Sequence, residues 1–173
     1  MRRLAPWLLV LLLVAGIGVP RLAGGDDQGG GGTAAGVAGV VPVVRVVDGD
    51  TIVVRRNGAE ERVRYIGIDT PESVKPNTPV QCYAKKASAE NERLVAGRTV
   101  RLAGDAEARD RYGRTLAYVT RVDDGLFVNA ELVRRGFATT LTIAPNVRFA
   151  SRFAALARDA RRTGRGLWGA CSR

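Results

Sequence analysis

The chain contains no histidine. That absence removes every mechanism that needs an imidazole base, nucleophile or metal ligand: zinc fingers, Ser-His-Asp hydrolases and His-metal nucleases among them. Only two cysteines occur, Cys82 and Cys171, so a cysteine-rich metal site is excluded as well. A metal in this chain has to be held by oxygen, which points to calcium or magnesium. Aromatic residues are scarce, 6% against 46% hydrophobic, so the core has to be built mainly from Val, Leu, Ile and Ala. Lysine is nearly absent too, at 75, 85 and 86 alone, yet the net charge is +10. The charge is therefore arginine, whose planar fork of donors suits phosphate, although a GC-rich genome also enriches arginine. Such a balance favours a polyanionic partner, nucleic acid first and an anionic membrane surface second.

Arg2 and Arg3 precede an apolar run that reaches Val19, interrupted by Pro6. Residues 1–23 read as an export signal or as an N-terminal membrane anchor with the arginines inside. The run is short of the roughly 20 apolar residues of a full span. Arg21-Leu22-Ala23 makes a poor cleavage site, and no cysteine follows for lipid attachment. Residues 24–39 are rich in Gly and Ala, with four consecutive glycines at 29–32, and read as a flexible linker. The folded domain is then 40–173, placed on the outer face of the cytoplasmic membrane or secreted. It carries the basic character itself.

From Val40 the pattern changes. Val43–Val47 and Thr51–Arg56 read as strands around an Asp48-Gly49-Asp50 turn, and Asn57-Gly58 is a two-residue hairpin signal. Glu61–Ile68 reads as the third strand of a meander, ended before Pro71. Thr78-Pro79-Val80-Gln81 has the form of a helix start with a capping box, and Gly97 stops that helix. Thr99–Ala103 and Arg114–Val122 are the fourth and fifth strands. Asn129–Arg135 reads as a short helix capped by Asn129 and stopped by Gly136. In Arg148–Thr163, Phe149, Phe153, Leu156 and Ala160 fall on one helical face, and Arg152, Arg158, Arg161 and Arg162 on the other. Leu167 and Trp168 are expected to dock back onto the core. Five strands with a helix between the third and fourth are the order of an OB-type barrel, here an α+β fold with three helices. Such barrels often bind single-stranded nucleic acid.

Three segments concentrate acids and arginines: Asp48-Gly49-Asp50-Thr51, then Arg64 through Asp69-Thr70-Pro71-Glu72, and Asp110-Arg111-Tyr112-Gly113-Arg114. Together they contain what phosphodiester hydrolysis needs without histidine. Asp50, Asp69 and the Thr70 carbonyl are metal-ligand candidates for an open calcium site. Glu72, beyond a proline, is the candidate base. Arg64 and Arg114 are the candidate phosphate clamps. Arg64 and Asp69 lie an odd number of positions apart, so a regular strand would face them oppositely. Either Gly67 hosts a bulge or Asp69 lies past the strand.

Taken in order, these segments resemble the staphylococcal-nuclease-like (thermonuclease) family from about Val43 to Trp168. Leu116-Ala117-Tyr118, Val128 through Arg134, Pro145-Asn146 and Leu167-Trp168 extend the resemblance. It implies an OB barrel with three helices and a monomer that uses calcium to hydrolyse DNA and RNA, leaving 3′-phosphate ends. By the same resemblance Asp50 and Asp69 match the calcium carboxylates and Thr70 the carbonyl ligand. Glu72 matches the residue usually assigned as base, and Arg64 and Arg114 the catalytic arginines. Arg111 and Tyr112 match substrate contacts, and Asp48 an acid just behind the metal ligands. It would also start the first helix a few residues after Thr78. One departure stands out: Leu141-Thr142-Ile143-Ala144 lacks the two tyrosines some relatives carry before the proline, and is a residue shorter. Base stacking should be weakened, and the metal and arginine chemistry untouched.

Cys82 and Cys171 lie before the first helix and after the last. In an exported chain they are expected to form a disulfide that pins the C-terminus to the barrel. The alternative to an enzyme is a non-catalytic OB-fold nucleic-acid-binding module, which would not need the acids and arginines together. An envelope protein that meets anionic lipid would not need them either.

Overall fold

The computed structural model describes residues 37–73 and 79–171. Residues 1–23, read above as an export signal or membrane anchor, residues 24–36 of the expected linker and Thr78 lie outside the described residues. Val37 is already buried, and β1 (Gly39–Val46) follows it. Strands β1, β2 (Thr51–Arg56) and β3 (Ala59–Tyr65) form an antiparallel meander. Its second turn is Asn57-Gly58, with φ of 50° and 81°, the pair of positive values a tight hairpin needs.

The barrel closes through β5 (Thr99–Ala103) and β6 (Thr115–Arg121). Strand β3 pairs in parallel with β6, β6 antiparallel with β5, and β5 antiparallel with β1. The result is a closed five-stranded barrel of OB type in an α+β fold. Its interior is aliphatic, with Ile52, Val54, Val63, Val100, Leu102 and Val119 all buried. Four of the few aromatics are pooled. Tyr118, Phe127, Phe149 and Phe153 form one cluster with ring centroids 4.6–6.3 Å apart.

The third strand is shorter than its hydrophobic pattern suggests. It ends at Tyr65, and Gly67 takes φ of +79°. The chain then leaves the barrel as β4 (Gly67–Asp69) and pairs antiparallel with β7 (Thr139–Leu141) in a separate two-stranded sheet. This break resolves the parity conflict, because Arg64 and Asp69 belong to different strands. Glycine is required there on two counts. A side chain is strained at that φ, and an added Cβ would lie 2.6 Å from the Phe153 ring.

Helix α1 (Ala84–Val95) begins later than the capping-box reading. Its N-cap is Tyr83, at φ 71°, with no side-chain cap. Gln81 does not close a box, because its side chain accepts from the Glu72 backbone N–H. Ala84, Ala87, Leu94 and Val95 face the core.

Helix α2 (Val128–Arg134) likewise has no side-chain cap. Asn129 lies inside it and is fully buried, accepting from the Val119 N–H and donating to the Ile66 carbonyl. It ties α2 to the barrel at the point where β3 ends. Helix α3 (Ala150–Arg162) presents Phe153 and Ala160 to the core. A fourth, single-turn helix, α4 (Leu167–Ala170), adds to the three expected. It docks through Leu167 N–H to the Gly136 carbonyl at 2.8 Å. Cys82 and Cys171 are joined in a disulfide with Cα atoms 6.0 Å apart. Among the described residues no helix is long and apolar enough to cross a membrane.

Candidate active site

The turn between β1 and β2 is held against the start of the β2–β3 ladder. Tyr65 donates its N–H to the Asp50 carbonyl at 2.9 Å, and Thr51 pairs with Arg64 across the ladder. Asp50 and Arg64 are therefore neighbours by register. The Arg64 side chain is almost buried, and its fork is nearly fully engaged. Nε lies 3.0 Å from Asp50, Nη2 2.8 Å from Asp69, and Nη1 donates to the Tyr65 and Ile68 carbonyls. One guanidinium thus spans the two carboxylates singled out as metal ligands. The other oxygen of Asp50 accepts from both the N–H and the hydroxyl of Thr70, at 2.8 and 2.9 Å. Gly49 lets this happen, because a Cβ there would fall 2.7 Å from the Thr70 hydroxyl. Asp48 accepts from the Asp50 N–H and receives the Asn91 amide on its carbonyl.

Negative charge is in excess here. Burial, and then the adjacent Asp50 charge, push Asp48 up to about 6. Burial also raises Asp69, opposed by Arg64 and reinforced by the charges of Asp50 and Glu72. A set of carboxylates and a carbonyl, with no nitrogen or sulfur donor, fits a hard divalent cation. Among the described residues no three acidic or soft side chains converge to enclose an ion. Asp50 and Asp69, bridged by Arg64, are the carboxylates that could hold such an ion in an open site.

Glu72 follows Asp69 closely enough to repel its charge. Its backbone is held by a reciprocal pair with Gln81: Glu72 N–H donates to Gln81 Oε1 at 2.8 Å, and Gln81 N–H to the Glu72 carbonyl at 3.0 Å. Cys82, next in the chain, carries the disulfide.

A cleft of about 460 Å³ opens beside this cluster. Arg64, Arg111, Tyr112 and Arg114 line it, together with Gly67, Leu141 and Ile143. Asp50, Asp69 and Glu72 are not on its wall, and Arg64 is the residue the two groups share. Strand register explains the meeting: Val63 pairs with Thr115, so Arg114, just before β6, arrives beside β3. The loop that carries it is organised by Asp110. One carboxylate oxygen accepts from the N–H groups of Tyr112 and Arg114, and the other from Arg114 Nε at 2.7 Å. Tyr112 is exposed and flanked by two guanidiniums, Arg111 at 4.8 Å and Arg114 at 5.5 Å from its ring centroid.

Three supporting residues were given no role in the site by the sequence, although Gln81 was read as part of a helix cap and Asp110 and Asn146 lie in the matching segments. Asp110 aims Arg114; an Asp four residues before an Arg, with Gly between, was the available cue. Gln81 clasps Glu72 across a loop, which no local pattern reveals. Asn146 holds the far wall by bonding both backbone groups of Glu107. Leu141 and Ile143 are partly exposed on the cleft, so the wall is aliphatic where two tyrosines were missing from the sequence.

Known proteins are similar to this chain in sequence. The family described as staphylococcal nuclease homologue matches residues 62–170. The thermonuclease of Staphylococcus hyicus is 42% identical over 126 residues, 73% of either chain. That of Staphylococcus intermedius is 43% identical over 126 residues, 73% of this chain and 74% of its own. Endonuclease YncB of Bacillus subtilis is 38% identical over 130 residues, 74% of this chain and 61% of its own. With a closed OB-type barrel and a family match across most of its length, the chain belongs to the staphylococcal nuclease family of phosphodiester-hydrolysing enzymes.

Proposed function

We propose that this chain is an exported, calcium-dependent nuclease that cleaves DNA and RNA with little sequence preference and leaves 3′-phosphate ends. The observation that carries the reading is Arg64, fixed between Asp50 and Asp69 and lining a cleft with Arg111 and Arg114. Asp50, Asp69 and the Thr70 carbonyl would hold the ion, with Asp48 behind them. Bound there, calcium would neutralise charge on the scissile phosphate.

The remaining work falls to side chains of this chain. Glu72 accepts the proton of the attacking water. The bond from phosphorus to the 5′-oxygen breaks, and that oxygen takes a proton from solvent. Arg64 and Arg114 stabilise the charge that builds on the phosphoryl oxygens, each worth about 2.7–4 kcal/mol by analogy with oxyanion donors. The hydrogen bond of Arg114 to Asp110 uses Nε, which leaves both Nη groups as donors. Arg111 and Tyr112 contact the substrate backbone. The aliphatic Leu141 and Ile143 give a base little to stack on, which supports weak base preference and weak binding of a nucleoside bisphosphate. A cystine that joins distant parts of the fold supports export, either secreted or tethered by the N-terminal segment. The active form is a monomer.

The test is cleavage of single-stranded DNA and of RNA by the purified protein in calcium and in EGTA, with end-group analysis of the products. Cleavage in calcium that stops in EGTA and leaves 3′-phosphates is expected. Cleavage that persists in EGTA, or 5′-phosphate products, would refute the reading.

A further inference from the structure

A second concavity, of about 240 Å³, lies between β7 and α3. Thr139 and Thr140 line it from β7, and Arg158 and Arg161 from α3, with Trp168 at one side. We propose that it is an exosite for backbone phosphates of the same polynucleotide strand that occupies the cleft. The inference rests on the nuclease reading of that cleft and extends it to substrate length.

Continuity is the first argument. Strand β7 belongs to both concavities: Leu141 lines the cleft, while Thr139 and Thr140 line the second site. The Thr139 hydroxyl donates to the Asp69 carbonyl at 3.2 Å, so the site begins directly behind a proposed metal ligand. Two strand residues span about 7 Å, roughly two nucleotide rises of one strand in a duplex. A chain leaving the cleft over β7 therefore meets α3 within a step or two.

Charge is the second argument. Residues 148–165 contain six arginines and a single acid, Asp159. That acid is taken by Arg162 and Arg165, while Arg148 pairs with Asp105. Among the described residues neither Arg158 nor Arg161 is ion-paired with an acid. Arg161 rests on the Trp168 ring at 5.4 Å, which holds its guanidinium at the site. Of the three arginines left without an acid, Arg152 lies over the Phe127 ring, whereas Arg158 and Arg161 line the concavity that adjoins the cleft, together with two hydroxyl-bearing side chains.

The experiment compares wild type, the double variant Arg158→Gln/Arg161→Gln and the double variant Arg158→Lys/Arg161→Lys on a dinucleotide and on a long oligothymidylate in calcium. Thermal melts confirm that all three fold alike. In the glutamine variant KM for the oligothymidylate should rise about tenfold, the scale of two phosphate contacts, with the dinucleotide unchanged. The slope of log affinity against log salt, read by fluorescence anisotropy on the oligothymidylate in EGTA, where no cleavage is expected, should fall by roughly 1.4. The lysine variant should keep the wild-type slope. An unchanged KM and slope, or an equal loss on both substrates, would overturn the exosite. Wild type that cleaves neither substrate would sink the nuclease reading alone, and the anisotropy slope would still decide the exosite.

Discussion

Gly67→Ala is the perturbation whose cost follows most directly from the geometry. Gly67 sits where the chain leaves the barrel, at φ +79° and with the Phe153 ring against it. An alanine held in the left-handed region costs about 1–2 kcal/mol. Its Cβ would stand 2.6 Å from Phe153 Cε2, inside any real contact distance, and Phe153 is itself buried in the aromatic cluster. Overpacking of that kind adds about 1–3 kcal/mol. The sum, about 2–5 kcal/mol, is a large share of the stability of an ordinary domain. It should appear as a lower urea midpoint with an unchanged slope. The two costs are separable. In a Phe153→Leu background the contact is relieved and only the backbone strain remains, so the added penalty of Gly67→Ala should shrink by about half. Because β4 carries Asp69, cleavage should fall as well. A Gly67→Ala protein within about 0.5 kcal/mol of wild type would refute both the strain and the packing argument.

Other expectations follow from single contacts. Replacing both cysteines by serine should cost about 2–5 kcal/mol in chemical denaturation, because the bridge closes a separation of 89 residues; no change would mean that the bridge constrains little. Asn129→Ala strands the Val119 N–H and the Ile66 carbonyl in the core, so a loss of about 2–4 kcal/mol is expected from calorimetry. Gln81→Ala frees the Glu72 backbone from the site edge. Here kcat should drop about tenfold to a hundredfold with KM and melting nearly unchanged, whereas a matching loss of stability would make Gln81 merely structural. Asp110→Asn keeps the loop bonds to the Tyr112 and Arg114 N–H groups but weakens the grip on Arg114 Nε, so kcat should fall without a change in the circular dichroism melt.

Much of the barrel was legible because local chemistry and global fold agree there. Asn57-Gly58 takes the positive φ values its residue types favour, and Thr99–Ala103 is a strand bounded as its alternation suggests. The sequence misled wherever a polar side chain had two possible partners. Gln81 and Asn129 both sit where a helix cap is plausible, and both are used for tertiary bonds to distant backbone. Periodicity carried the third strand on to Ile68, because the hydrophobic residues continue through Gly67; what breaks it is the positive φ at Gly67, where a ring from α3, remote in sequence, leaves no room for a side chain. At the candidate site the residue types and order were readable, but the cross-linking of Asp50, Asp69 and Arg64 depends on ladder register that spacing alone does not give.

The central claim is that the acids and arginines of this cluster perform hydrolysis and do not merely bind. It is tested most directly by comparing wild type with a Glu72→Gln/Arg114→Ala variant on single-stranded DNA in calcium, with binding followed separately by anisotropy in EGTA. The account predicts cleavage by wild type, loss of cleavage in the variant by at least about a hundredfold, and binding retained within a few-fold. Equal cleavage by both proteins, or binding without cleavage by either, would contradict it.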